Sequence, residues 1–296
     1  MAPHKKPIVP LVALLLLLAA AVGRTTDQAA AQAPGRIISL IPAVTEMLFA
    51  IGAGPRVVAV SSFDTYPADV KQLPRVGALL DPNVERILSL KPDLVVVYAT
   101  QNDLKEQLAR AGIPVFDYRH AGLAGVATTI RALGERTRSD AKAGEVVNGI
   151  EQGLAGIRQR VAGRPRPRVL LVFGREAGTL RGIYASGGVG FLDDMLRIAG
   201  GDNVFADVKR EAVEASSELV LSRRPDVILE IRAQAEAPPT AKVKADLDAW
   251  NALASVPAVR DGRIALLTDD RIVIPGPRVV EGTLTLARAL HPDAFK

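Results

Sequence analysis

The sequence predicts an α/β protein of two lobes, each with a central, mostly parallel sheet, joined by one long rigid α-helix with a cleft between them. Three observations predict it. Short β-branched runs alternate with helical patterns in both halves of the 296 residues, as parallel strands covered by helices require. Between the halves, Val147, Ile150, Leu154, Ile157 and Val161 recur at alternating spacings of three and four. That is the apolar seam of one amphipathic helix over 140–161, about 33 Å long at 1.5 Å per residue. Finally, Glu85–Asp93 (ERILSLKPD) and Glu218–Asp226 (ELVLSRRPD) agree at five of nine positions. Each pairs a short helix and a proline stop with the buried strand that follows.

Taken in order, Arg36–Leu40 reads as a strand. Val44, Met47, Leu48 and Ile51 have helical spacing, with Gly52 as the C-terminal cap. Val57–Ser62 is a strand, Asn83–Leu90 a short helix stopped by Pro92, and Leu94–Ala99 a buried strand. A helix over Leu104–Ala111 leads through Gly112 to the strand Pro114–Tyr118. Ser139 or Asp140 caps the long helix, which ends in the breaker-rich run Gly163-Arg164-Pro165-Arg166-Pro167. Alternation then resumes: strand Val169–Phe173, helix Phe191–Ala199, strand Val227–Ile231, helix Leu247–Leu253, strand Arg263–Leu267 and a last helix Val279–Leu290. The expected division is a leader over 1–33, a first lobe over 34–139, the helix over 140–163 and a second lobe over 164–296.

The leader rests on its own pattern. Lys5 and Lys6 open it, an apolar run follows from Ile8 to Val22, and Ala31-Gln32-Ala33 offers a cleavage site. This is the layout of a secretory signal, and the run is short of the roughly 20 residues that span a bilayer. Its removal takes Lys5, Lys6, Arg24 and Asp27 with it and lowers the formal charge of +5 by two. The expectation is an exported, periplasmic protein with its signal cleaved. Cysteine is absent, which excludes disulfides, thiol chemistry, cysteine metal sites and a lipidated N-terminal cysteine. The remaining positive charge carries no nucleic-acid message.

Catalytic patterns are missing. There is no H-E-x-x-H and no G-x-S-x-G. Gly187-Gly188-Val189-Gly190 lacks the lysine-serine ending of a P-loop. Its amides, ahead of a helix, either hold an anionic group or simply enter the helix. His120, at a strand end, either sits in a cleft, as the loop beside Tyr118 and Arg119 would allow, or is a surface or capping histidine, the simpler reading. The expectation is a binding protein, with no enzyme activity, catalytic residue, metal site or cofactor.

Ser39-Leu40-Ile41-Pro42-Ala43-Val44-Thr45-Glu46, Ile51-Gly52-Ala53-Gly54, Tyr66-Pro67 and Leu73-Pro74-Arg75-Val76-Gly77 resemble the first lobe of periplasmic binding proteins for cobalamin, iron-siderophores and haem. Asp81–Ile87 and Leu90–Val95 continue the likeness; Gly187–Leu192, Ala199–Phe205, Ser217-Glu218 and Pro275-Gly276-Pro277-Arg278 carry it through the second half. The resemblance implies two lobes on a rigid helix, with modest closure. It implies a monomer that captures a metal-chelate small molecule in the interlobe cleft and delivers it to a dimeric ABC permease in the inner membrane. It places one docking glutamate on each lobe, at Glu85 and Glu218. It gives Phe63, Tyr66, Leu79, Tyr98, Tyr118, Arg119, Tyr184 and Arg278 as ligand contacts, with Leu80, Arg175, Phe191 and Arg232 as further cleft candidates. Arg119, Arg175, Arg232 and Arg278 are the cations that would neutralise a ferric siderophore. Haem-binding members usually place a ligating tyrosine just after the position of Val76-Gly77, where this chain has Ala78. The resemblance is nearest to corrinoid-binding members; an iron-siderophore comes second and haem third.

Overall fold

In the computed structural model residues 33–232 and 240–296 are described; the expected leader lies almost wholly outside them. The first sheet is wholly parallel. Its strands β1 (Ile37–Ser39), β2 (Val57–Val60), β3 (Leu94–Tyr98) and β4 (Val115–Tyr118) lie in the order β2-β1-β3-β4. Helices α1 (Pro42–Ala50), α2 (Val84–Ser89) and α3 (Asn102–Arg110) follow the first three segments as expected. One further helix, α4 (Leu123–Thr137), was not anticipated. Val126, Ile130, Leu133 and Thr137 are its buried face, a spacing that Gly125, Gly134 and the threonines dilute in the sequence.

The bridging helix α5 spans Asp140–Val161. Val147 and Ile150 belong to the first core, and Ile157 and Val161 to the second. Its seam is therefore divided between two cores. Ser139 is its N-cap residue but makes no side-chain cap bond; its hydroxyl is taken by Arg56 Nη2 at 3.4 Å. The last helix, α10 (Val279–Leu290), also spans both cores, with Val279 in the first and Leu286, Ala287 and Leu290 in the second. The two bridges pack at Gly153, where a Cβ would lie 2.6 Å from Val280 Cγ1.

The second sheet is mixed: three of its pairings are parallel, in keeping with the expected mostly parallel sheets, and two are antiparallel. Its strands are β5 (Arg168–Gly174), β6 (Ile183–Ser186), β7 (Asp202–Asn203), β8 (Ala212–Ala215), β9 (Val227–Ile231) and β10 (Ile264–Leu267). The order is β10-β9-β5-β6-β8, with β7 beside β5. β9 and β10 run parallel to β5, whereas β6 is antiparallel to both β5 and β8. β6 and β8 are four-residue strands, too short for a period-2 pattern to stand out. Helix α6 (Phe191–Ile198) starts at the expected residue. The helix expected over 247–253 is instead the end of α8 (Thr240–Asp248) followed by a 3₁₀ turn, Ala249–Leu253, and the short helix α9 (Pro257–Arg260) comes after it.

The repeated segment is a repeated structure. In α2, Asn83 accepts the Arg86 amide; in α7 (Ser217–Arg223), Ser216 accepts that of Leu219. Both segments reach their proline through a left-handed residue, Lys91 and Arg224. Asp93 then accepts the Arg36 amide at 2.9 Å, and Asp226 that of Arg168 at 2.9 Å. The same arginines donate back, Arg36 to Leu90 O and Arg168 to Arg223 O, each at 2.7 Å. One local device is thus used twice, at the entry of β1 and of β5.

The packing at α5 generates a paired prediction. Gly153→Leu should force α5 from α10 and cost about 1–3 kcal/mol in urea unfolding. Gly149→Ala, where nothing lies within 4 Å of the added carbon, should stabilise by up to about 1 kcal/mol through helix propensity.

Candidate functional site

Parallel sheets place their loops for ligands at the carboxyl ends of the strands. In the first lobe those loops carry Phe63 and Tyr66 after β2, Tyr98 at the end of β3, and Tyr118, Arg119 and His120 at the end of β4. The β2 loop is held from beneath: Arg75 Nη1 donates to Ser61 O at 3.0 Å and Asp64 O at 2.8 Å. The loop bearing Leu79 is tied to β3 through Gln101, whose amide donates to Leu79 O and accepts from the Tyr98 amide. Phe63, Tyr66, Leu79 and Leu80 are 72%, 46%, 40% and 92% exposed, an apolar rim on otherwise polar loops.

Tyr66 meets the second half of the chain. The Arg278 guanidinium lies over its ring, 4.1 Å from the centroid. Arg278 also forks onto Glu46 of α1, Nη2 to Oε1 at 2.5 Å and Nε to Oε2 at 2.9 Å, and reaches Asp270 at 3.3 Å. Glu46 is buried. Burial pushes its carboxyl up, against the opposing pull of Arg278.

A cavity of about 570 Å³ opens between His120 of the first lobe and residues of the second. Phe173, Val189, Phe191, Leu192, Ile231 and Val273 make most of its wall apolar, and Glu211 and Arg232 add charge. His120 is thus a cavity residue, the cleft position that the sequence left open beside a surface role. Its ring packs edge-on against Phe191 at 5.3 Å, its Nδ1 lies 3.3 Å from the Tyr118 hydroxyl and its Nε2 3.9 Å from Glu211. Tyr118 is buried in the first core, edge-on to Tyr98. Burial first, then Tyr98 and Glu211, push its phenol up to about 12, so it keeps its proton at neutral pH. Tyr184 is 44% exposed on β6 and is not part of this wall.

The cationic cleft expected for a ferric chelate is not what the arginines form. Arg175 is buried against Glu230 at 2.6 Å, and Arg232 is shared between Glu230 at 3.0 Å and Asp246 at 2.5 Å. Trp250 Nε1 also donates to Glu230. Arg278 is committed to Glu46 and Asp270. Three of the four arginines are therefore matched by carboxylates; Arg119 is exposed and has no ion-pair partner among the described residues. In the glycine-rich turn two amides are already taken: that of Gly187 donates to Glu211 O and that of Gly188 to Val208 O. Phe173, Glu211 and Val273 line the cavity and Glu46 pairs with Arg278, and sequence reading singled out none of the four as a contact. Val189 lay in the glycine-rich turn it did single out, and Glu46 had a signal in its place in the first motif.

Glu85 and Glu218 occupy matching first-turn positions of α2 and α7, both exposed. Hydrogen bonding from Ser216 holds the Glu218 carboxyl below its ordinary range.

Two lobes on a shared helix, with a cleft at the strand ends, agree with the comparisons. A family model described as periplasmic binding protein matches residues 37–271. The chain belongs to that family. The binding protein is 31% identical over 268 residues to an uncharacterized ABC transporter substrate-binding lipoprotein, YvrC, of Bacillus subtilis, covering 89% of this chain and 82% of that one. It is 33% identical over 201 residues to the vitamin B12-binding protein of Yersinia pestis, covering 67% and 70%. The periplasmic vitamin B12-binding protein BtuF of Vibrio cholerae superposes with a TM-score of 0.73 at 26% identity, covering 89% of this chain and 99% of that one. Such proteins are substrate-binding components of ABC importers, which sets a small-molecule ligand and a membrane permease as the partners of the binding protein.

Beside the cleft, Asp64 is buried, and its Oδ1 has no hydrogen-bond partner. Burial pushes its carboxyl up from the ordinary 3.8. The native state then holds this proton more tightly than the unfolded chain does. The contribution of Asp64 to stability is full below 3.8, falls as pH rises towards the native value, and is level above it. Asp64→Asn should flatten that part of the profile, read by denaturant titrations across the acidic range; an unchanged slope would contradict the assignment.

Proposed function

We propose that this protein is exported on its leader, captures cobalamin or a related corrinoid in the interlobe cleft, and delivers it to an ABC permease. The observation that carries the ligand is the charge balance of the cleft. A ferric siderophore with excess negative charge needs free cations, and here Arg175, Arg232 and Arg278 are each matched by a buried or half-buried carboxylate. What the protein offers is a largely apolar cavity of about 570 Å³ and, on the loops at the strand ends of the first lobe, exposed Phe63, Tyr66 and Leu79. That lining suits a large macrocycle of low net charge, whose faces pack on apolar and aromatic groups. The 33% identity to a vitamin B12-binding protein supports the same reading. Tyr66 and Tyr98 serve as aromatic contacts and Tyr118 acts through His120. Arg119 remains the cation available for a polar group on the ligand.

Calorimetry with cyanocobalamin, a ferric hydroxamate siderophore and haemin tests this. Saturable one-to-one binding of cyanocobalamin is expected, and Tyr66→Ala should weaken it by about tenfold, or about 1.4 kcal/mol. Saturation by the siderophore or by haemin with none by cyanocobalamin would overturn the assignment.

In the same reading Glu85 and Glu218 dock onto arginines of the two permease subunits. Two like carboxylates at matched places suit a two-fold partner and make salt-sensitive contacts. The Glu85→Ala/Glu218→Ala variant should bind cyanocobalamin as the parent does and lose uptake in a reconstituted transporter; normal uptake would remove the docking role.

A further inference from the structure

We infer that Glu46 is a positioning residue for the ligand cleft, acting through Arg278 on the ring of Tyr66. This rests on the proposed role of Tyr66 as a ligand contact.

Glu46 belongs to the motif that ends β1 and starts α1; Arg278 ends the Pro-Gly-Pro-Arg motif immediately before α10. The two lie 232 positions apart and meet in a bidentate pair. Their backbones are also in close approach: a Cβ on Gly276 would lie 3.1 Å from Glu46 Oε2 and 3.6 Å from Ala43 O. The Glu46 side chain is 2% exposed and that of Arg278 16% exposed. A carboxylate buried to that degree is stable only when paired, and the fork fixes the guanidinium plane as well as its charge. The plane then sets Tyr66. One face of its ring rests on the cation at 4.1 Å, and the side chain is still 46% exposed. Glu46, almost wholly buried, thus acts on the ring through Arg278, which Asp270 holds from its other side.

The test is a double-mutant cycle of Glu46→Gln and Tyr66→Leu, with Arg278→Lys as a further variant. The readouts are cyanocobalamin calorimetry and the ligand-free proton spectrum. In the parent, the Arg278 δ-methylene protons should be shifted upfield by the Tyr66 ring current, and Glu46→Gln should return them towards ordinary values. Glu46→Gln and Tyr66→Leu should each weaken binding by about tenfold, and the double variant by no more than the larger single loss. Arg278→Lys keeps the charge but loses the fork and the stacked plane, so it should match Glu46→Gln even where the latter folds poorly. Multiplying losses in the double variant, or parental binding by Glu46→Gln or Arg278→Lys, would overturn the inference. If the parent binds no cyanocobalamin, the corrinoid reading falls and the proton spectrum alone decides: an upfield shift retained in Glu46→Gln overturns the inference, and its loss supports it.

Discussion

The structure depends on a helix that belongs to two cores at once. Val147 and Ile150 of α5 are held by the first lobe, Ile157 and Val161 by the second. Bending it would break backbone hydrogen bonds and uncover apolar surface on both sides. Helix α10 repeats the arrangement, packing against α5 at Gly153 and Val280. Two bridges fix the orientation of the lobes more firmly than a loop hinge would. Lobes held this way should close only modestly on a ligand, which would keep the ordering cost of binding small.

Charge in the cleft is organised by neutralisation. Each buried arginine is answered by a carboxylate, and Glu230 alone serves Arg175, Arg232 and the Trp250 indole. Such pairs contribute little net stability, because desolvation offsets the attraction. They are, however, strict about geometry. Removing one partner strands a buried charge, so these side chains act as fixed supports for the aromatic and apolar groups that face the cavity.

Much of this was legible in the sequence. The seam of α5 and the Val-rich strands carry strong periodicity, and the structure begins and ends α5 at Asp140 and Val161. The repeated Glu-to-Asp segment identified a helix, stop and strand in each half, now seen to share the same arginine and aspartate clamp. The readings that failed depend on partners distant in the chain. Arg175, Arg232 and Arg278 cannot be known as neutralised until Glu230, Asp246 and Glu46 are seen beside them. The Gly187 and Gly188 amides were satisfied by residues 208 and 211, which no local pattern reveals. β6 and β8 are too short to announce themselves, and His120 was a lone histidine until the second lobe supplied Phe191 and Glu211.

The repeated clamp also bears on how the chain assembles. Arg36 and Asp93 are 57 positions apart, and Arg168 and Asp226 are 58, so each half can close its own entry strand without the other. The Glu46–Arg278 pair spans 232 positions, a closure that costs only about 1 kcal/mol more in chain entropy but requires both halves to be in place. The Glu46–Arg278 pair can therefore close only once both halves have taken shape. The surface that receives the ligand would then be completed only when the whole chain has folded, and a partly folded chain would carry no competent cleft to compete for cargo.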